Sequence, residues 1–212
     1  FIEKDLMINE EVDKLRLRAT SSLLSGRKDI IIVASVSCIY GMGNPDDYKN
    51  SIIRIEKGQM VSRNTFLYKL VDGLYARTES ALTRGHFRVK GDIVDIALSY
   101  VNHGLRIHFY GDEIEEIEML EIETGKPIKK MDVAAVFPAN LYVAPKDKLQ
   151  EIIRTIEHEL QEHESYLETE NKFLEAKRIH ERTQFDLEMI KELGYCTGIE
   201  NYSRFFDGRE PG

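Results

Sequence analysis

The sequence predicts an α/β protein with an inserted α+β domain and a helical hairpin, and three patterns support this prediction. Residues 30–34 form an unbroken apolar run, which is typical of a strand buried on both faces of a parallel sheet. Residues 74–136 hold short alternating segments between glycine turns, as in an antiparallel meander. Residues 145–193 repeat apolar side chains at helical spacing. A meander inserted after an α/β strand indicates a second, smaller domain.

The first elements are predicted to be a helix and a buried strand. Asn9 is a suitable N-cap for a helix over residues 8–25, and Gly26 is a suitable stop. Five apolar residues recur along this helix at three- and four-residue steps: Ile8, Val12, Leu15, Ala19 and Leu23. The apolar run follows as the strand, and residues 41–47 form the loop at its carboxyl end, where open α/β sheets place functional groups.

The inserted domain is predicted to begin with a short helix within residues 63–75. The meander that follows has five predicted strand segments, which are residues 85–90, 92–98, 105–111, 112–120 and 132–137. Its turns are expected at the glycine-containing positions 91–92, 104, 111–112 and 125–127.

The carboxyl-terminal third is predicted to be an antiparallel pair of helices joined near residues 168–172. The first helix has an apolar stripe of Leu149, Ile152, Ile153, Ile156 and Leu160. The second has Leu174, Phe185, Leu187, Met189, Ile190 and Leu193. Gly194 ends this helix, and residues 195–208 are expected to form an irregular, aromatic-rich segment.

Composition limits the functions that the chain can have. Its formal net charge is -8, whereas a free-standing nucleic-acid-binding protein is usually basic, so any DNA contact requires a local patch. Cys38 and Cys196 are too far apart in the sequence for a metal-ligand motif, which indicates unpaired thiols in a cytoplasmic protein. The apolar runs are too short to cross a membrane. The first residue is Phe1 rather than methionine, so we expect a piece of a longer protein.

Two cations on one predicted strand raise the question of what they face. In residues 85–96, Phe87 and Val89 alternate with Arg88 and Lys90, so the two pairs lie on opposite faces of the strand. The cations of the meander include Arg77, Arg84, Arg88, Lys90 and Arg106. The residues alone leave three alternatives open, which are solvent, nucleic acid and an acidic partner protein.

Motifs for catalysis are weak in this sequence. It has no G-x-x-x-x-G-K-[ST] loop, and Gly41-Met42-Gly43 lacks the third glycine of a dinucleotide fingerprint. His158 and His163 are five residues apart, which turns them away from each other on a helix and excludes a zinc-protease motif. The seven carboxylates of residues 112–123 favour a solvated strand face, although a metal-dependent nuclease remains an alternative.

Several long motifs resemble the UvrB family of the bacterial excinuclease ABC. The most specific are "VASVSCIYG" at residues 33–41 and "GIENYSR" at residues 198–204, and "RGHFRVKGDIVDI" at residues 84–96 adds to them. The resemblance extends over essentially the whole chain. It implies a RecA-like, helicase-type ATPase motor with a small inserted UvrA-docking domain and a β-hairpin that clamps DNA.

On this resemblance, the chain divides into three parts. Residues 1–46 correspond to the end of the DNA-clamping hairpin and part of the first motor domain. Residues 47–140 correspond to the UvrA-docking domain, and residues 141–212 to the helical hairpin and the return to the motor. ATP and Mg²⁺ belong to the parent protein, whose phosphate-binding and acidic motifs are expected outside this chain. We therefore expect no cofactor, metal or catalytic residue here.

The resemblance also assigns roles to individual residues. Lys4 and Arg16 match positions that handle DNA. The UvrA-docking face is matched by five residues: Arg77, Arg88, Lys90, Arg106 and Phe109. Lys90 stands where the family commonly has arginine, which would replace a bidentate contact with a point charge. His108 stands where some members have glutamate, and residues 96–104 also depart from the family pattern.

The partners that the resemblance implies are UvrA for this chain, and UvrC and damaged DNA for the parent protein, with no membrane. The expected function is therefore docking of UvrA together with part of a DNA path in nucleotide excision repair. Two alternatives are an autonomous metal-dependent nuclease that uses residues 112–123, and a purely structural helical interaction module built on residues 145–193.

Overall fold

A computed structural model describes residues 10–35 and 43–209. These residues form two compact units, one of residues 10–33 and 48–143 and the other of residues 34–35, 43–47 and 144–209. We call them the sheet unit and the helical unit. Residues 10–33 lie in the sheet unit, where Leu17 is buried and Asp13 pairs with Arg84 at 3.4 Å. The expected domain limits at residues 46 and 140 stay a prediction.

The sheet unit begins with α1 (Glu10–Leu24), which confirms the first predicted helix over its described residues. Its predicted apolar stripe does not face a core, because the side chains of Val12, Leu15 and Leu23 are 43–58% exposed. Leu17 and Ser21 are buried instead. Among the described positions of the stripe, only Ala19 is half-buried.

The predicted strand at residues 30–34 is wrong for this structure. Residues 30–35 have no regular secondary structure, and Ile31 and Val33 are 93% and 95% exposed. A strand that is buried in a parallel sheet needs hydrogen-bonded neighbours on both sides. No such neighbour is present among residues 10–35 and 43–209, so the run has no ladder to join.

The meander is confirmed as the main sheet of the sheet unit. Its strands are β2 (Ala76–Arg77), β3 (His86–Lys90), β4 (Ile93–Ala97), β5 (His103–Tyr110), β6 (Glu113–Glu121) and β7 (Pro127–Met131). They pair in sequence order, with β2 parallel to β3 and every other neighbour antiparallel. The short strands β2 and β7 were not predicted.

A second, two-stranded sheet accounts for the last predicted segment of the meander. β1 (Ile53–Glu56) pairs with β8 (Val133–Val136), so the segment at residues 132–137 does not continue the main sheet as predicted. One face of the main sheet is covered by α3 (Arg63–Asp72), whose Phe66 ring lies 5.7 Å from that of Phe109. The core on this face includes Phe87, Val94, Ile96, Ile107 and Ile117, which are at most 1% exposed.

Gly104 lies inside β5, not at a turn as predicted. It pairs with Ala97 across the ladder, and a Cβ atom at this position would lie 2.4 Å from the carbonyl oxygen of Ile96. Glycine is therefore required here for close approach of two strands, not for backbone freedom. By contrast, Gly91 forms the predicted β3–β4 turn with a φ of 60° in open space.

The helical unit confirms the predicted hairpin. It contains α2 (Pro45–Asn50) in part, α4 (Lys146–Thr169), α5 (Phe173–Leu193), a 3-10 helix (Ile199–Tyr202) and α6 (Ser203–Asp207). Gly194 ends α5 with a φ of 78°. The α4 stripe is buried at four predicted positions, but Leu174, Phe185 and Leu193 of α5 are 49–62% exposed. Within the described residues, no helix has the length and apolar character needed to cross a membrane.

Candidate partner-binding face of the sheet

The face of the main sheet that is opposite α3 carries a row of alternating charges. Strand register places Arg88, Asp95, Arg106, Glu118 and Lys130 directly beside one another on β3, β4, β5, β6 and β7. We call these five residues the charge row. Opposite charges on directly paired positions of neighbouring strands attract, so each strand of the row stabilises the next.

Asp95 is the most buried member of the charge row. Its side chain is 4% exposed, and those of Arg88 and Arg106 are 20% and 21% exposed. Arg106 donates from Nε to Asp95 Oδ1 at 2.7 Å and from Nη2 to Oδ2 at 3.0 Å. Arg88 donates from Nη2 to Oδ2 at 2.9 Å. One carboxylate thus holds two guanidinium groups, one of them in a bidentate pair.

The charge state of Asp95 follows from these contacts. Burial alone would raise the pKa of Asp95, but the hydrogen bonds from Arg106 and Arg88 outweigh it, so this pKa lies below its ordinary value. The hydrogen bond to Asp95 raises the pKa of Arg106 in turn. The group of three therefore has a net charge of about +1 at neutral pH.

Lys90 is the more accessible cation of β3. It lies on the same face as Arg88, two residues further along the strand, and its side chain is exposed. Its pairing partner on β4 is the half-buried Ile93, so no carboxylate faces it across the ladder. Strand β3 thus presents one cation held by a buried carboxylate and one that is open to solvent.

Two of the five residues assigned to this face lie elsewhere. Phe109 is 4% exposed and packs against Phe66, so it belongs to the core and cannot make the direct contact assigned to it. Arg77 pairs in register with Phe87 rather than with Arg88, and its guanidinium contacts Glu79 at 3.0 Å. It is exposed on the edge strand, outside the charge row.

On β5, β6 and β7, other polar side chains of this face contact each other. His108 Nε2 lies 3.1 Å from Glu118 Oε2, and Lys130 forms an ion pair with Glu116. His108, Glu116 and Glu118 are the one group of three metal-ligand side chains within reach of each other in the described part of the chain. Lys130 already occupies Glu116, and Arg106 is the register neighbour of Glu118, so these cations oppose a metal ion here.

The remaining predicted site residues are the two assigned to DNA. Arg16 lies on α1 with its side chain exposed. Lys4 lies outside the described residues. The acidic segment that suggested a nuclease is β6, whose Ile114, Ile117 and Leu120 are fully buried between its carboxylates. Ile114 and Ile117 lie on the core face, whereas Leu120 packs with Leu82 and Ala97 on the opposite face. The carboxylates therefore surround buried apolar positions, and no observation favours a nuclease.

The helical unit has one buried carboxylate of its own. Asp186 on α5 is 7% exposed and accepts a hydrogen bond from the Tyr202 hydroxyl at 2.8 Å. Burial raises the pKa of the nearby Cys196 thiol to about 12, which keeps this thiol protonated and unreactive. These groups join the 3-10 helix to α5 and do not form an open site.

Sequence reasoning missed Asp95 and Glu118, the two buried carboxylates of the face. The sequence does contain a sign of Asp95, because this residue lies between the apolar Val94 and Ile96 in β4. A carboxylate at such a position must pair with a cation on a neighbouring strand. Alternation within one strand shows which face a cation occupies but not which carboxylate of the next strand it meets.

Comparisons with known proteins agree with this architecture. Residues 53–142 match the UvrB interaction domain, and residues 147–208 match the UvrB third helical domain. Over its full 212 residues the chain is 56% identical to UvrABC system protein B of Cytophaga hutchinsonii. It is 54% identical to the protein of that name from Bacteroides fragilis and 49% identical to that of Chlorobium chlorochromatii.

The match covers all of this chain but only part of each relative. The covered share is 32%, 31% and 31% of those three proteins, so the chain spans about a third of their length. The two domain matches coincide with the sheet and the helical hairpin, and they confirm the family that the motifs at residues 33–41 and 198–204 predicted. The chain belongs to the UvrB family and contains its interaction domain and its third helical domain.

Proposed function

We propose that this chain docks UvrA through the face of the main sheet that carries the charge row, as part of a nucleotide excision repair protein. The match to the UvrB interaction domain includes every strand of that face. The relatives are B proteins of a UvrABC system, which supports UvrA as the partner.

The pair Arg88 and Lys90 carries this proposal. Lys90 is exposed with no carboxylate opposite it in the ladder, and Arg88 is held beside it by Asp95. Both side chains stand on a strand whose other face is packed into the core through Phe87. A rigidly mounted positive pair fits an acidic patch on the partner and fixes its register.

The remaining parts of the expected function belong to the same proposal. The exposed apolar run at residues 30–34 supports a contact with a RecA-like motor in a longer protein. ATP and Mg²⁺ would be bound in that motor, because this sequence has no phosphate-binding loop and its own residues do not fit ATP. We propose that the chain itself is not catalytic. The cytoplasmic location also stays a prediction.

Contacts with DNA through Lys4 and Arg16, and work with UvrC on damaged DNA, are further parts of the proposal. The net charge of -8 opposes DNA binding outside a local patch. We expect the chain alone to bind single-stranded DNA weakly and with strong salt dependence, as fluorescence anisotropy would show. Tight binding at physiological salt would contradict the assigned DNA path.

The docking proposal is tested by measuring the affinity for UvrA with calorimetry. Lys90→Glu should weaken binding roughly 10-fold or more, because it places a like charge against the acidic patch. The matched control is Lys69→Glu, which makes the same charge change on an exposed residue of α3, the helix that covers the other face. This control should bind as the parent does.

The alternative of a purely structural helical module is tested in the same series. If residues 145–193 carried the interaction, Lys90→Glu and Lys69→Glu would bind UvrA equally well. Circular dichroism of both variants would establish that they remain folded. Equal affinities in folded variants would show that the face that carries the charge row is only a solvated surface.

A further inference from the structure

We propose that Asp95 is a positioning residue for partner docking, which holds Arg88 and Arg106 in the geometry that UvrA meets. This inference rests on the proposed docking function. Asp95 makes no direct contact with a partner in this proposal, because its side chain is 4% exposed and lies between the two arginines.

The contacts of Asp95 explain how it would act on Arg88. The Nη2 bond to Asp95 is the one hydrogen bond that the Arg88 side chain makes among the described residues, and its buried Nε atom has no partner there. Arg106, in contrast, is held at two atoms by Asp95 and also donates to the carbonyl oxygen of Gly125 at 3.3 Å. The direction of the Arg88 side chain therefore depends on Asp95 more than that of Arg106 does.

Asp95 also separates two like charges. Arg88 and Arg106 both face the same carboxylate from neighbouring strands, and without it their guanidinium groups would repel each other. An arginine that is released in this way regains rotamer freedom, which must be lost again when the partner binds. Asp95 would remove that loss before docking by keeping the side chain in place.

Two effects on binding kinetics follow from this role. Asp95→Asn adds one net positive charge to the face, so the rate of encounter with an acidic partner should not fall. The loss should appear in the dissociation rate, because the arginines are no longer held in register. Ordering two long side chains costs enough to predict a roughly 5- to 100-fold weaker affinity.

The experiment is a mutant cycle measured by surface plasmon resonance against immobilised UvrA, with the chain in solution. Asp95→Asn should raise the dissociation rate in the parent background and have little effect in the Arg88→Ala background. Asp95→Glu keeps the charge but moves the carboxylate by one methylene, so it should also weaken binding and should also lose its effect without Arg88. This second variant keeps the test valid if Asp95→Asn does not fold.

The outcomes separate this inference from the docking proposal. If Lys90→Glu weakens binding but neither Asp95 variant does so, the positioning role is wrong and docking stands. If the Asp95 variants lose the same amount of affinity for UvrA with and without Arg88, Asp95 has a general structural role and the inference is overturned. Tighter binding of Asp95→Asn would overturn it as well, since Asp95 would then be competing with the partner for Arg88. If Lys90→Glu binds normally, the docking proposal itself fails.

Discussion

The sheet unit and the helical unit both contain several ion pairs, but the carboxylates of the pairs compared here differ in how far they are buried. In the sheet unit, Asp95 is 4% exposed and joins two arginines. In the helical unit, the cross-helix pairs Lys191–Glu157 and Arg204–Glu159 use carboxylates that are 36% and 49% exposed. A buried carboxylate holds its cations in one geometry, whereas an exposed pair is screened by water and contributes little.

The difference indicates where a specific interaction is to be sought. Both units have surfaces with many charges, and composition alone does not separate them. In the sheet unit the charges are fixed by register across five strands, and Lys90 is open beside them. In the helical unit the cross-helix pairs lie on exposed helix faces, where solubility is a sufficient explanation, and the buried Asp186 is bonded to Tyr202 within the unit.

The largest expected difference between the two units is the change in stability when the carboxylate of Asp95 or of Glu159 is removed. Asp95→Ala should destabilise the sheet unit by about 3 kcal/mol, because two partly buried guanidinium groups lose their partner. Glu159→Ala should change the stability of the helical unit by less than about 0.5 kcal/mol. Hydrogen exchange of the β4 and α4 amides measures the two units separately. Equal losses of protection would remove the distinction between them.

Two glycines provide a second comparison with a smaller effect. Gly104→Ala should cost about 2 kcal/mol, because the new Cβ atom would meet the Ile96 carbonyl oxygen at 2.4 Å and the β4–β5 ladder must shift. Gly194→Ala should cost about 1 kcal/mol in the helical unit, because alanine is strained at a φ of 78°. Urea titrations that are monitored by hydrogen exchange would give both losses of stability. A neutral Gly104→Ala would show that the strands can separate freely.

The response to acid should also distinguish Asp95. Its pKa is lower in the folded chain than in the unfolded chain, so its stabilising contribution is present above about pH 4, the ordinary range of aspartate. The contribution is lost as the pH falls through the lower folded value. The stability gap between the parent and Asp95→Asn should therefore narrow below about pH 4. A gap that stays constant down to the acid-unfolding range would show that Asp95 is not held as a carboxylate.

The sequence predicted those elements that depend on local patterns. The alternation of β3 to β5 and the helical spacing of α4 were sufficient, because each pattern buries one face within the chain. The same spacing predicted α5, although only Leu187 and Ile190 of its predicted stripe are buried. The prediction of a strand at residues 30–34 was wrong, because a buried strand depends on hydrogen-bonded neighbours that the described residues do not supply. Strand β2 has two residues, which is too short for a periodic signal.

The candidate site was predicted in part for a similar reason. Spacing placed Arg88 and Lys90 on one face, but only the register of β3, β4 and β5 shows that Asp95 lies between Arg88 and Arg106. Phe109 could have been excluded from the face by alternation alone, because it is an odd number of residues from Arg106 on the same strand. Pairings between strands carry information that a single sequence does not contain.

The docking claim is tested most directly by photo-crosslinking from single positions. A photoreactive amino acid replaces Lys90 in one variant and Lys69 in a control, and each variant is mixed with UvrA at a concentration that saturates binding even when the Lys90 contact is lost. Both positions are exposed, and they lie on opposite sides of the main sheet. The account predicts a crosslink to UvrA from position 90 and little or none from position 69. Equal crosslinking from both positions, or crosslinking from position 69 alone, would contradict docking through the charge row.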